Sequence, residues 1–353
     1  MRKSSTTGTV RSWTRRGALG GFLAVTLLAA ACGGGGGGGG GTAPSSGGEA
    51  PAAGGIPPDA VSITATPQNS PLPQGTPGTG KPAVVMGSKN FAEQTVLGEL
   101  YTQALKAKGY NVSLKSSIGG SELIDKSLES NQIQMFPEYL GETVTSVAKL
   151  PPPKSASQTY NEAKQWLEKN RQSTVLMQTA FEDTDGIVVT NQYAQQHGLE
   201  TIADLNKVGP GGKGVTVSGQ PEFENRDTGL VGMKKAYNLP NVGFLPAPAG
   251  SQYTALDQGA AQAADAFTTD YQLTTGKYKL LTDPQAVFGF QYVAPIVKQS
   301  VLQQQGPEFA ATLNWVSGLL TPQAIQALNQ QVQGNNQPAG DVARQFLQAN
   351  GLK

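Results

Sequence analysis

The chain has 353 residues, with 26 Lys and Arg against 25 Asp and Glu, one Cys and one His. A single Cys excludes a disulfide framework and a thiolate metal cluster, and a single His, His197, argues against His-based zinc or triad chemistry. Residues 1–82 hold six of the basic and two of the acidic residues, so the remaining body is slightly acidic and lacks the clustered positive charge of a nucleic-acid-binding face.

The first segment reads as an address. Arg2, Lys3, Arg11, Arg15 and Arg16 form a basic region before an uncharged apolar stretch, Gly17 to Ala31. Fifteen residues are too few for a membrane-spanning helix, which needs about 20, and suit a signal peptide over 1–31. The stretch ends in Leu27-Leu28-Ala29-Ala30-Ala31-Cys32 and resembles a bacterial lipobox, with Ala29 where Leu is usual. The resemblance implies a lipid on Cys32 and an extracytoplasmic protein anchored to the outer face of the cell membrane. Residues 32–82 are Gly, Pro, Ser, Thr and Ala with almost no large apolar side chain, holding most of the 20 glycines found before residue 83. Such a composition offsets little ordering entropy and predicts a disordered tether.

The body alternates short strands with helices. Ala83–Met86 reads as a buried strand. Asn90 followed by Glu93 has N-cap spacing and predicts a helix to about Lys108, with Leu97, Leu100, Tyr101, Ala104 and Leu105 on its apolar face. Asn111–Lys115 is the next strand, then a helix with Leu123, Ile124 and Leu128 on one side, then a strand at Ile133–Phe136 running into Pro137-Glu138-Tyr139. Gly186–Thr190 and Val215–Ser218 are strands, Thr201 caps a helix, and another helix spans about Thr228–Tyr237. The chain returns through Tyr292–Val297, and Val301–Leu352 reads as two or three helices with Trp315 and Leu319 on one face. His197 falls at a helix end and takes no ligand role. This alternation predicts a mainly parallel α/β sheet with ligands beyond the C-terminal strand ends. Residues 128–139 also echo 256–267, each a helix end, a turn, a small strand and an aromatic residue, Tyr139 or Phe267. Two lobes that each offer one ring would form a clamp.

Four motifs then occur in order: Gly87-Ser88-Lys89-Asn90-Phe91-Ala92-Glu93-Gln94, Pro137-Glu138-Tyr139-Leu140-Gly141, Pro221-Glu222-Phe223-Glu224-Asn225-Arg226 and Phe267-Thr268-Thr269-Asp270. Together they resemble the osmoprotectant (glycine betaine/choline/carnitine) substrate-binding lipoproteins of ABC transporters. The resemblance implies an α/β, two-lobed type II periplasmic-binding-protein fold with a two-strand hinge near 182–188 and 288–294. Lobe one would comprise 83–185 plus 290–353, and lobe two 186–289. It also implies a small cationic or zwitterionic solute, a permease and an ATPase as partners, a monomer, no cofactor, no metal and no catalytic residue.

In that family tyrosines surround a quaternary ammonium, because aromatic faces attract a cation that donates no hydrogen bonds. Carried over, Tyr139 is a cage ring, Phe267 stands in place of another, and Lys89 and Arg226 take a ligand carboxylate. Asp185 replaces a cage Tyr, Gln291 replaces another with Tyr292 adjacent, and Glu142 replaces a ligand-binding Thr with Thr143 next to it. Asp183 and Thr268 complete the candidate set. Losing two rings weakens an aromatic cage by roughly one to three powers of ten. A carboxylate at Asp185 compensates by charge attraction and also admits an amine that carries N–H groups. Two other readings stand beside this one: a sensor or scavenger of the same fold without a transporter, and an exported hydrolase or transferase, which lacks an evident nucleophile and base.

Overall fold

A computed structural model describes residues 70–248 and 250–353. The expected signal segment 1–31, Cys32 and the expected tether as far as residue 69 lie outside the described residues. No helix among the described residues is long and apolar enough to cross a membrane.

Among the described residues ten strands form two five-stranded sheets. They are β1 (Val84–Gly87), β2 (Val112–Lys115), β3 (Met135–Tyr139), β4 (Ser173–Val175), β5 (Asp185–Thr190), β6 (Thr216–Gly219), β7 (Gly243–Pro246), β8 (Ala263–Phe267), β9 (Tyr278–Leu280) and β10 (Val293–Lys298). The first sheet has the order β2-β1-β3-β10-β4 and the second β7-β6-β8-β5-β9. Each has a parallel half and an antiparallel return: β10 runs against β3 and β4, and β5 runs against β8 and β9.

Helices cover both sheets. They are α1 (Ala92–Ala107), α2 (Ser121–Glu129), α3 (Leu140–Glu142), α4 (Ala156–Arg171), α5 (Asn191–His197), α6 (Leu230–Ala236), α7 (Gln252–Asp257), α8 (Gln299–Gln305), α9 (Pro307–Leu319), α10 (Pro322–Asn329) and α11 (Ala339–Ala349). The tail thus holds four helices where two or three were expected. Val96, Leu97, Leu100, Tyr101, Ala104 and Leu105 recur at helical spacing and bury one face of α1 against α9 and α11. Each fully buried Leu contributes about 1.5–3 kcal/mol, and the Tyr101 hydroxyl is satisfied by Ser317 Oγ at 2.9 Å. A separate core under the second sheet gathers Ile187, Val189, Val217, Met233 and Leu239.

Two local expectations change. The N-cap of α1 is Phe91, in extended backbone, and Asn90 is exposed. Glu93 does not turn back to close a capping box, because its carboxyl is taken by Tyr139, Thr269 and Asn329. Residues 70–82, expected to belong to the tether, lie against the core beside the first sheet. Leu72 packs on its core, Gly78 N–H donates to Lys108 O at 2.9 Å, and Gln305 Nε2 donates to Pro82 O at 2.9 Å. A Cβ on Gly78 would meet Tyr110 at 2.3 Å, so only glycine allows this approach.

Candidate cleft between the two sheets

Two chain segments pass between the sheets side by side. Glu182 and Tyr292 form an antiparallel bridge, Asp183 N–H donates to Gln291 O at 3.1 Å, and Leu140 N–H donates to Tyr292 O at 3.1 Å. The Thr268 hydroxyl accepts from Thr184 N–H at 3.1 Å and lies 3.3 Å from Glu182 O. This crossing forms the floor of a cleft of about 520 Å³. Its walls come from the C-terminal ends of β1, β3, β6 and β8, the position expected for ligands in open α/β sheets.

Three rings stand along one side. Phe91 lies between Tyr139 and Phe267, with centroid separations of 6.0 Å and 6.3 Å and interplanar angles of 24° and 10°. The expected two-ring clamp is therefore a three-ring row, because Phe91 enters from the N-terminus of α1 and occupies the gap. Tyr139 is fixed by its hydroxyl, which donates to Glu93 Oε1 at 2.7 Å.

The charges on the walls are unequal. Lys89 and Arg226 face six carboxyls: Glu122, Glu142, Asp183, Asp185, Glu222 and Asp265. Both cations are already engaged. Lys89 Nζ pairs with the buried Glu138, bonds Ser121 Oγ at 2.8 Å and sits 4.7 Å from the Tyr139 ring centroid. Arg226 Nη1 lies 3.6 Å from Glu142 Oε1, an ion pair between the segments that follow β6 and β3. The expected carboxylate-binding pair is thus occupied by the protein's own acids, and a ligand carboxylate would have to displace them.

Burial pushes the acids toward their protonated forms. Asp185 is raised to about 7 by burial and by Glu142, against the pull of Arg226. Asp265 is raised well above its ordinary value by burial and by Asp185. Burial raises Glu138 to about 7 although Lys89 lies beside it. Asp270 rises to about 6 by burial, restrained by Phe267 N–H and the Tyr253 hydroxyl.

A second carboxyl cluster lies behind the rings. Thr269 Oγ1 is 2.6 Å from Glu93 Oε2 and 2.8 Å from Asp183 Oδ1. One hydroxyl has one proton, so one of these contacts must be donated by a carboxyl. Burial raises both acids accordingly, each reinforced by charged neighbours or restrained by hydrogen bonds. Asn329 Nδ2 donates to Glu93 Oε2 at 2.7 Å and to Thr269 O at 3.1 Å. α1 and α10 thereby grip the loop that follows β8.

Of the residues expected in the site, Lys89, Tyr139, Glu142, Asp183, Asp185, Arg226, Phe267 and Gln291 line the cleft together. Thr143, Thr268 and Tyr292 do not. Thr143 is buried where the helix begun by α3 widens into a π turn. The Thr268 hydroxyl is spent on the crossing backbone. Tyr292 is paired through its backbone with Glu182 and Leu140, while Gln291 faces the cleft and its Oε1 accepts from Glu142 N–H at 3.1 Å. A Cβ on Gly141 would lie 2.7 Å from Gln291 Oε1, so this contact requires glycine there. Phe91, Glu93, Glu138 and Asp265 were not expected. Phe91, Glu93 and Glu138 stood inside the motifs, and Asp265 was signalled by an acid in the small apolar strand Ala263–Phe267.

Comparison with known proteins gives this arrangement relatives. The family model described as the substrate binding domain of the ABC-type glycine betaine transport system matches residues 82–349. A glycine-betaine-binding protein of Pseudomonas aeruginosa is 29% identical over 276 residues, covering 76% of this chain and 88% of the relative. The glycine betaine-binding protein YehZ of Escherichia coli is 27% identical over 277 residues, covering 76% and 90%. The crystal structure of a glycine betaine/carnitine/choline ABC transporter protein superposes with a TM-score of 0.67 at 22% identity, covering 76% of this chain and 99% of that one. That likeness establishes the two-lobed type II periplasmic-binding fold.

Proposed function

The chain belongs to the family of substrate-binding domains of ABC-type glycine betaine transport systems, a family of transport components and not of enzymes, and from that membership we propose a specific cargo and cycle. The protein captures a small quaternary-ammonium or other cationic or zwitterionic solute outside the cytoplasm and presents it to its permease. The observation that carries the choice of cargo is the charge of the cleft: six carboxyls face two cations that are already paired. A cation entering this site is attracted by the carboxyls and meets a row of three rings.

The cycle is hinge closure. Lobe one is residues 83–185 plus 290–353, lobe two is residues 186–289, and the paired crossing segments carry the rotation. The ion pair between Arg226 and Glu142, with the grip of Glu93 and Asn329 on Thr269, supports this reading by joining the lobes on both sides of the rings. The protein works as a monomer, held by a lipid on Cys32 to the outer face of the membrane.

Calorimetry against choline, glycine betaine, carnitine, polyamines and amino acids tests the cargo. Binding of a cation or zwitterion is expected, with a fall in radius of gyration by X-ray scattering at saturation. Binding of sugars or anions alone would contradict the cargo, and an unchanged radius would contradict closure. Cys32→Ser is expected to move the protein from the membrane fraction to the soluble one. Retention in the membrane fraction would remove the lipid from the account.

A further inference from the structure

Within the cleft, beside Phe267, the two carboxyls of Asp185 and Asp265 lie side by side. In the antiparallel register Asp185 pairs with Phe267, so Asp265, two residues earlier on β8, is its diagonal neighbour on the same sheet face. Asp265 is 3% exposed and lines the cleft. Its Oδ1 has no donor among the described residues. Room for it is left by Gly219 of the neighbouring strand, where a Cβ would meet Asp265 Cβ at 2.7 Å. Burial of an acid with an oxygen that receives nothing is costly unless a proton or a ligand supplies the missing donor.

We propose that Asp185 and Asp265 form a subsite for an N–H-bearing cation, a primary ammonium or a guanidinium, while the row of rings takes the apolar part of the same ligand. This rests on the reading of the cleft as a cation site and narrows its substrate class. A trimethylammonium group has no N–H and would leave Asp265 Oδ1 without a donor. An ammonium or guanidinium supplies two or more donors that can span both carboxyls.

The subsite exchanges a proton for the ligand. In the empty cleft the neighbouring acids are stabilised by a proton between them, because burial and their mutual repulsion oppose two charges. The charged groups facing the pair are Glu142 from lobe one and Arg226 and Asp270 from lobe two. Glu142 and Asp270 favour retention of the proton and Arg226 opposes it. A bound cation favours the doubly ionised pair, so the proton leaves as the ligand enters. Affinity therefore falls as the pH is lowered and the pair holds its proton more firmly.

Matched ligands test this. Choline and glycine betaine are titrated against their unmethylated counterparts ethanolamine and glycine, and against agmatine, in buffers of different ionisation heats. An N–H-bearing cation is expected to bind about ten- to a hundredfold tighter than its permethylated counterpart, releasing about one proton per ligand. Asp265→Asn is expected to remove both the preference and the proton release. Asp185→Asn is the second variant if Asp265→Asn does not fold. Tighter binding of the permethylated ligands, with Asp265→Asn and Asp185→Asn leaving the N–H ligands unchanged, overturns the subsite and leaves the cation reading standing. Binding of none of these cations overturns both.

Discussion

Phe91→Ala is expected to weaken ligand binding by about ten- to a hundredfold, the loss of one desolvated ring face plus the collapse of the row it centres. Tyr139 and Phe267 each stack on Phe91 and come from different sheets. Without the middle ring they lose their common spacer. Stability is expected to change less than affinity, because Phe91 is only partly buried at the start of α1. Phe91→Tyr keeps the ring face and is expected to remain within about threefold of the parent protein. Calorimetry with the best ligand of the panel measures both variants. An affinity of Phe91→Ala within about twofold of the parent would remove the ring row from the binding account.

The second large effect concerns Glu93. Its carboxyl is the common partner of Tyr139, Thr269 and Asn329. Glu93→Ala strands these buried groups at once and is expected to cost about 3 kcal/mol of unfolding free energy, read as a lower urea midpoint. Glu93→Gln keeps the shape and replaces one oxygen by a donor. A protonated carboxyl oxygen can donate and accept at once, whereas an amide nitrogen only donates, so Tyr139 or Asn329 must reorient and this variant is expected to lose about 1 kcal/mol, less than Glu93→Ala. A Glu93→Gln loss as large as that of Glu93→Ala would mean that Glu93 is charged and that the proton resides on Asp183.

Much of this architecture is legible in the chain because it is local. Apolar residues at helical spacing predicted α1, and β-branched runs between glycines predicted β1, β5 and β6 within a residue or two. The four motifs carried the resemblance, and with it most of the lining of the cleft. What escaped depends on contacts between distant segments. Nothing near Arg226 in sequence says that Glu142 will face it, and nothing near Lys89 says that Glu138 will hold it. Phe91 reads as an ordinary apolar residue at a helix start, and only the approach of β3 and β8 makes it the middle of a row. Thr143 and Tyr292 sit next to the lining residues Glu142 and Gln291, where one step in a π turn or a strand reverses the direction of a side chain. Residues 70–82 looked like tether by composition, since one Leu and a few backbone hydrogen bonds leave little trace in a Gly- and Pro-rich stretch.

The threading of β10 has a consequence for how the molecule assembles. In the order β2-β1-β3-β10-β4, the strand that joins β3 to β4 is the last one made. Every strand of the other sheet lies on one unbroken stretch, Asp185 to Leu280. As the chain emerges from its N-terminal end, the sheet whose strands come first must wait with the edge of β3 unpaired until Val293–Lys298 arrives. The sheet begun later can close earlier. Unpaired edges of this kind invite wrong partners, so the interval between the two closures is when a chaperone has most to protect.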